Sequence, residues 1–124
     1  MSLCFELYVY PHPTEAGVYL YVGYGRGRDE QHRHTRTNFG KQFTLSFPGM
    51  RLPDTVSVWM KVSSIRDIKI AETAMMFKLK THKSFGGFNM CYSASLADGL
   101  EFLTTDGGTS TFLSLTKGGS SAII

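Results

Sequence analysis

The most chemically informative residue of this 124-residue chain is Glu72, a carboxylate set among apolar residues at helical spacing. It lies four residues after Ile68 and three before Met75, so a helix would turn all three side chains to one face. An ionised carboxylate on an apolar face is costly unless a cation or a metal ion compensates its charge. Glu72 is therefore a candidate metal ligand, and the alternatives are a salt bridge to a nearby Arg or Lys, or a helix rotated so that Glu72 lies at the margin of the apolar face.

A second group of candidates follows the glycine-rich run of residues 23–27. Arg28 and His32 are four residues apart and Arg36 comes one turn later, so a helix would place the three on one face. The planar guanidinium of Arg binds two phosphate oxygens at once, and His exchanges a proton near neutral pH. This pattern indicates a phosphate site with a proton acceptor, or else an ordinary basic surface. His32 and His34 cannot share a helix face, which argues against a two-histidine metal site.

Tyrosine hydroxyls near the N-terminus form the third group. Apolar residues alternate with other residues from Leu3 to Val9 and again from Val18 to Val22, which is the period of a β-strand. Pro11, His12 and Pro13 interrupt the pattern between the two runs. The pattern predicts a hairpin with one aliphatic face and one face that carries Tyr8, Tyr10, Tyr19 and Tyr21.

Further elements must hold these groups together. In chain order, the pattern predicts a hairpin over residues 1–24, a helix over 29–38, a strand over 55–64 and a helix over 64–83. Asn38 or Gly40 is expected to end the first helix, and residues 41–54 are expected to be irregular. These elements predict an α+β fold. Its sheet is small, antiparallel and three-stranded, formed by the hairpin and the third strand, and helices flank it.

Residues 91–124 differ in composition from the rest of the chain. They are rich in Gly, Ser and Thr, and we predict a short hairpin over residues 104–116 followed by a loose end. The chain is therefore divided into a core, residues 1–90, and a partly loose C-terminal extension, residues 91–124.

Composition and charge limit the classes of function. The chain holds 13 Lys and Arg against 10 Asp and Glu, and 42% of its residues are hydrophobic, which suits one folded domain rather than a disordered chain. Residues 1–90 carry a net +5, residues 91–124 a net −2, and the densest basic stretch spans residues 26–41. No apolar run reaches the length of a membrane span. Two cysteines and no evident secretion signal predict reduced thiols and a cytoplasmic location.

Several of these short motifs, taken in order, resemble the GIY-YIG nuclease family. The resemblance rests on LYVY, on YVG followed by GYGRGRDEQH, and on KIAETAMMFKLKTHKSFGGFN, and it covers about residues 5–90. The loop is closest to a branch of the family whose loop reads YVGKGK. Because LYVY replaces GIY, Tyr8 and Tyr10 both qualify as the first motif tyrosine, with Tyr8 favoured by the position of the following turn. Tyr24 stands where that branch usually has Lys.

The resemblance implies a divalent-metal-dependent endonuclease, a hydrolase of phosphodiester bonds, with Mg²⁺ or Mn²⁺ bound by Glu72. Arg28 would hold the scissile phosphate. Tyr8, with Tyr21 nearby, would orient or deprotonate the attacking water, unless His32 accepts the proton. Further substrate contacts are expected from Arg26, Arg33, Arg36, Tyr10 and Asn89.

The expected partner is a nucleic acid, with DNA favoured over RNA, and no membrane. Because residues 91–124 are few and acidic, we expect target choice to come from nucleic acid structure, from a homodimer or from a guiding protein partner. The alternative function is a non-cutting module that binds nucleic acid or protein on the same scaffold. A carboxylate on an apolar helical face favours the enzyme. A third alternative is an unrelated α/β domain.

Overall fold

The N-terminal hairpin and a third strand form one antiparallel sheet. The computed structural model describes residues 2–26 and 38–117. β1 (Leu3–Pro11) pairs with β2 (Tyr19–Gly25) on one side and with β3 (Val56–Val62) on the other, so the strand order is β2-β1-β3. The predicted three-stranded antiparallel sheet within an α+β fold is confirmed.

Four α-helices and one short 3-10 helix, all within the described residues, surround this sheet. They are α1 (Asn38–Ser46), α2 (Ile65–Lys78), the 3-10 helix (Lys83–Phe85), α3 (Leu96–Leu103) and α4 (Asp106–Thr116). None of these helices combines the length and the apolar composition that crossing a lipid bilayer requires.

The two faces of the sheet build two separate apolar clusters. The aliphatic side chains of β1 pack against α2, with Leu7, Val9 and Met75 fully buried. On the opposite face, Tyr8 and Tyr10 pack with other aromatic side chains. The predicted separation of aliphatic and tyrosine faces therefore holds for β1.

The prediction for the start of β2 is wrong. Tyr19 packs against the aliphatic cluster, whereas Leu20 is buried among the aromatic residues. The register of the β1–β2 pairing shifts between Tyr10 and Pro11, and such a shift exchanges the faces of the residues beyond it. Tyr21 follows the predicted face and pairs with Tyr10.

Helix α1 occupies residues that were predicted to be irregular. Neither Asn38 nor Gly40 ends a helix there, because α1 begins at Asn38 and continues to Ser46. Phe39 and Phe43, one turn apart, are buried against the tyrosine face of the sheet. Burying two aromatic side chains offsets the roughly 1 kcal/mol that a glycine costs inside a helix. The helix predicted over residues 29–38 falls almost wholly on residues 27–37, outside the described residues.

Helix α2 begins as predicted but ends five residues before the predicted boundary at Lys83. Its last turn closes when the amide of Thr81 donates to the carbonyl of Met76 at 3.0 Å. Lys80 takes the left-handed conformation, with φ at 59°, and turns the chain away from the helix axis.

The hairpin predicted over residues 104–116 is wrong. Residues 104 and 105 connect α3 to α4, and residues 106–116 form α4. Ser95 caps α3, and its side-chain oxygen accepts a hydrogen bond from the amide of Asp98. Thr105 caps α4 in the same way, accepting from the amide of Gly108. Leu115 of α4 is buried in the same cluster as the aliphatic face of β1. Helix α4 therefore packs on the core, and the predicted loose end, residues 117–124, lies outside the described residues except for Lys117.

Candidate active site

A cleft beside β2 gathers three of the residues that sequence analysis singled out. Its volume is about 320 Å³, and its lining includes Tyr21 of β2, Glu72 of α2 and Asn89. The remaining lining side chains are apolar or sulfur-containing: Phe39, Met76, Phe88, Met90 and Cys91. The cleft therefore joins one carboxylate and one phenol to a wall that is otherwise mainly apolar.

Glu72 is the buried charge-bearing group of this cleft. Its side chain is 8% exposed, and its neighbours on the inner face of α2 are apolar or small. Burial raises its pKa to about 7, while the hydroxyl of Ser93 and the charge of Lys69 act in the opposite direction. No Arg or Lys among residues 2–26 and 38–117 forms an ion pair with Glu72; the salt bridge in these ranges joins Arg66 and Asp98. The salt-bridge alternative finds no partner in that part of the chain.

Tyr24 is a second ionisable neighbour of Glu72. Partial burial raises the pKa of its phenol, and the negative charge of Glu72 raises it further. Its ring packs edge-on against Phe5, with 5.8 Å between the ring centroids. Sequence analysis noted Tyr24 only as a departure from the family pattern and missed its closeness to the carboxylate.

Tyr8 fits against β2 because its cross-strand partner is a glycine. It pairs with Gly23, and a Cβ built on Gly23 would stand 2.5 Å from the Tyr8 hydroxyl oxygen. The Tyr8 side chain is 3% exposed. The glycine of the YVG motif thus makes room for the phenol of β1.

Tyr10 is fully buried among three rings of the aromatic cluster. Its ring centroid lies 6.0 Å from that of Tyr8, 6.4 Å from that of Tyr21 and 4.8 Å from that of Phe39. A side chain with no exposed surface cannot touch substrate in this conformation. The predicted substrate contact of Tyr10 is therefore not supported, and the ring acts as packing behind Tyr21.

Asn89 has a structural role that explains its burial. Its Oδ1 accepts hydrogen bonds from the amide of Val22 at 2.9 Å and from the hydroxyl of Thr81 at 2.7 Å. Its Nδ2 donates to the carbonyl of Val22 at 3.0 Å. The side chain thus continues the sheet edge of β2 and ties it to the turn after α2. Its predicted contact with substrate stays a prediction.

Arg26 is exposed at the end of β2, and its guanidinium carbon lies 5.0 Å from the centre of the Phe5 ring. Arg28, His32, Arg33 and Arg36 fall outside the described residues, so their predicted roles in catalysis and in substrate contact stay predictions.

Sequence analysis missed Ser93, which completes the surroundings of Glu72. Its hydroxyl donates a hydrogen bond to Oε1 of Glu72 and lies 3.2 Å from the carbonyl oxygen of Lys69. Ser93 is 21 residues beyond Glu72. No local pattern links the two, because the contact forms only when the segment after Asn89 packs on α2.

The surroundings of Glu72 suit a metal ion that takes few protein ligands. The described residues contain no cluster of three or more His, Cys, Asp or Glu side chains, which a closed zinc site would need. Mg²⁺ and similar ions keep several waters and are often held by one or two carboxylates together with phosphate oxygens. A buried carboxylate at a cleft wall, with no Lys or Arg of the described residues at ion-pair distance, fits that mode of binding.

A larger cleft of about 580 Å³ lies between β3, α2 and the C-terminal helices. It contains the ion pair of Arg66 with Asp98, 3.0 Å apart, and none of the residues that sequence analysis selected. Because the charged side chains of this cleft are exposed or half-buried whereas Glu72 is buried with a raised pKa, the smaller cleft at Glu72 is the stronger candidate for chemistry.

A scan against models of protein families found no match to the chain, and neither did searches of curated proteins and of solved structures.

Proposed function

We propose that the protein is a divalent-metal-dependent endonuclease that cleaves nucleic acid, with DNA as the favoured substrate. The observation that carries this proposal is the buried carboxylate of Glu72, which faces a cleft also lined by the phenol of Tyr21. Glu72 has no ion-pair partner in the part of the chain that the structure describes, and a buried acid in that situation is costly to a fold, so its presence at a cleft is better explained by binding or chemistry than by stability.

The described residues supply two of the groups that phosphodiester hydrolysis needs. Glu72 would hold Mg²⁺ or Mn²⁺, which when bound supplies positive charge for the phosphate oxygens. Tyr21, which lines the cleft, would orient the attacking water together with Tyr8. Tyr8 lies on the neighbouring strand, two residues before Tyr10, the cross-strand partner of Tyr21. A phenol has an ordinary pKa of about 10, so proton transfer at neutral pH needs a lower pKa or a separate acceptor such as His32.

Arginines near the end of β2 would bind the phosphate. Arg26 is exposed there, and Arg28 follows two residues later. A guanidinium that meets the developing charge of the transition state contributes to turnover rather than to affinity alone.

The test is cleavage of supercoiled plasmid by the full chain with Mg²⁺, with Mn²⁺ and with EDTA. We expect conversion to nicked or linear DNA only with a divalent ion. We expect Glu72→Gln to lose at least ~10²-fold in rate, the scale for loss of a metal's main ligand. Glu101→Gln, which changes an exposed carboxylate of α3, serves as the matched control and should cut like wild type.

Binding and cleavage assays on labelled DNA and RNA, run beside the plasmid assay, separate the enzyme from the binding module. Wild type that binds DNA or RNA but cuts neither in any divalent ion would support the non-cutting alternative. Equal cleavage by Glu72→Gln and Glu101→Gln would refute the assignment of Glu72.

A further inference from the structure

Ser93 lies against Glu72 although it comes from the segment that follows the family resemblance. Its hydroxyl donates to Oε1 of Glu72, and no other hydrogen-bond donor within residues 2–26 and 38–117 reaches this carboxylate. A hydroxyl has one hydrogen, and an ionised carboxylate is a stronger acceptor than the carbonyl of Lys69 that lies 3.2 Å away. The contact therefore fixes one oxygen of Glu72 and leaves Oε2 without a donor in the described ranges.

The position of Ser93 is itself held by the packing of α3 on α2. The amide of Ala94 donates to the hydroxyl of Thr73 at 2.9 Å, and Thr73 is fully buried next to Glu72 in the chain. Gly99 of α3 approaches α2 so closely that a Cβ there would stand 3.0 Å from the Thr73 side chain. Ser95 caps the start of α3. The segment around Ser93 is therefore held in two ways: by the backbone hydrogen bond of Ala94 and by the packing of α3, which follows it, on α2.

We propose that Ser93 is a positioning residue for the divalent ion of the proposed function, holding Oε1 of Glu72 so that Oε2 is presented for binding. The inference rests on that function, because it assumes that Glu72 is the metal ligand. A glutamate side chain has three rotatable bonds, and ordering it costs free energy each time a ligand binds. A hydrogen bond that orders the carboxylate beforehand removes part of that cost.

The test is Mn²⁺ binding to the full chain, measured by isothermal titration calorimetry without nucleic acid. We expect Ser93→Ala to weaken the affinity for Mn²⁺ by about 10- to 100-fold, the usual effect of losing a group that orients a metal ligand. Ser93→Thr keeps the hydroxyl and should recover most of the affinity. Because Ser93 is exposed, neither change should prevent folding.

Ser95→Ala is the matched control, since it removes the cap of α3 and leaves the hydroxyl at Glu72 in place. We expect it to lower the melting temperature and to bind Mn²⁺ like wild type. The inference is overturned if Ser93→Ala binds Mn²⁺ like wild type while Glu72→Gln does not, which would leave the proposed function intact. It is also overturned if Ser95→Ala weakens binding as much as Ser93→Ala. Wild type that binds no Mn²⁺ would overturn the metal assignment of the proposed function and this inference together.

Discussion

The phenol oxygen of Tyr8 lies 2.5 Å from the point where a Cβ on Gly23 would stand. The two residues face each other across the β1–β2 ladder, so the glycine of one strand provides the space that the aromatic ring of the other occupies. Any side chain at position 23 must displace Tyr8, which is buried, and protein interiors are close-packed.

We expect Gly23→Ala to destabilise the protein by about 1–3 kcal/mol, the usual cost of overpacking, and to abolish cleavage by moving Tyr8. Urea unfolding measures the first effect. In a Tyr8→Ala background the same change should cost almost nothing, because the ring is gone. A double-mutant cycle without coupling would contradict this pairing.

The two candidates for the first motif tyrosine should separate by rate. Tyr8→Phe is expected to lose about 10²- to 10⁴-fold in turnover, the range for a positioned proton-transfer group. Tyr10→Phe should be close to wild type, because Tyr10 has no exposed surface, and Tyr21→Phe should be intermediate. Single-turnover cleavage of a labelled duplex measures all three. Larger loss in Tyr10→Phe than in Tyr8→Phe would reverse the assignment.

Glu72 should make the metal-free protein less stable as the pH rises. Its folded pKa of about 7 exceeds the ordinary 4.5, so the folded state holds the proton more tightly than the unfolded state. The free energy of unfolding should therefore fall as the pH rises from 4.5 to 7, by at most about 3.5 kcal/mol. Glu72→Gln in EDTA should lack this fall and be more stable than wild type at pH 8. Parallel pH profiles for the two proteins would show that Glu72 titrates normally.

Adding Mg²⁺ or Mn²⁺ at pH 8 extends this measurement. A bound cation favours the ionised carboxylate and stabilises the folded state by an amount that rises with the logarithm of the ion concentration above its Kd. We expect the melting temperature of wild type to rise with the ion and that of Glu72→Gln to stay level. A rise of equal size in both would place the ion elsewhere.

Asn89 should behave as a structural residue. Asn89→Ala removes three hydrogen bonds and leaves the amide and the carbonyl of Val22 without their side-chain partner. We expect the free energy of unfolding to fall by about 2–4 kcal/mol. Thr81→Ala removes one of these bonds and should cost about 1 kcal/mol. Well below its melting temperature, Asn89→Ala should keep the KM of wild type. A raised KM in a fully folded sample would instead support the predicted contact with substrate.

The sheet and α2 were predictable because their signals are local. The alternation of β1 and the three- and four-residue spacing around Glu72 follow from burial of one face, which the chain displays directly. The residues of α1 were harder, since Asn38 and Gly40 are common helix-ending residues. What overrides them is the tertiary packing of Phe39 and Phe43 on the tyrosine face.

The C-terminal helices were missed for a different physical reason. Ser, Thr and Gly occur both in turns and at helix starts, and composition alone does not distinguish the two. Ser95 and Thr105 are helix caps here, each accepting an amide three residues later. No sequence pattern indicated a role for Ser93, because its contact with Glu72 depends on how α3 packs on α2.

Leu115 in α4 completes the aliphatic cluster that β1 begins. During synthesis the hairpin and α2 leave the ribosome before this helix exists, so the nascent chain carries an incompletely covered aliphatic cluster. A fragment that stops after residue 90 would contain the whole stretch that resembles a nuclease. It would keep α2 on the aliphatic face of β1 but lack Leu115 and the contact of Ser93 with Glu72, so part of the cluster would be exposed and the fragment would tend to aggregate or to engage chaperones.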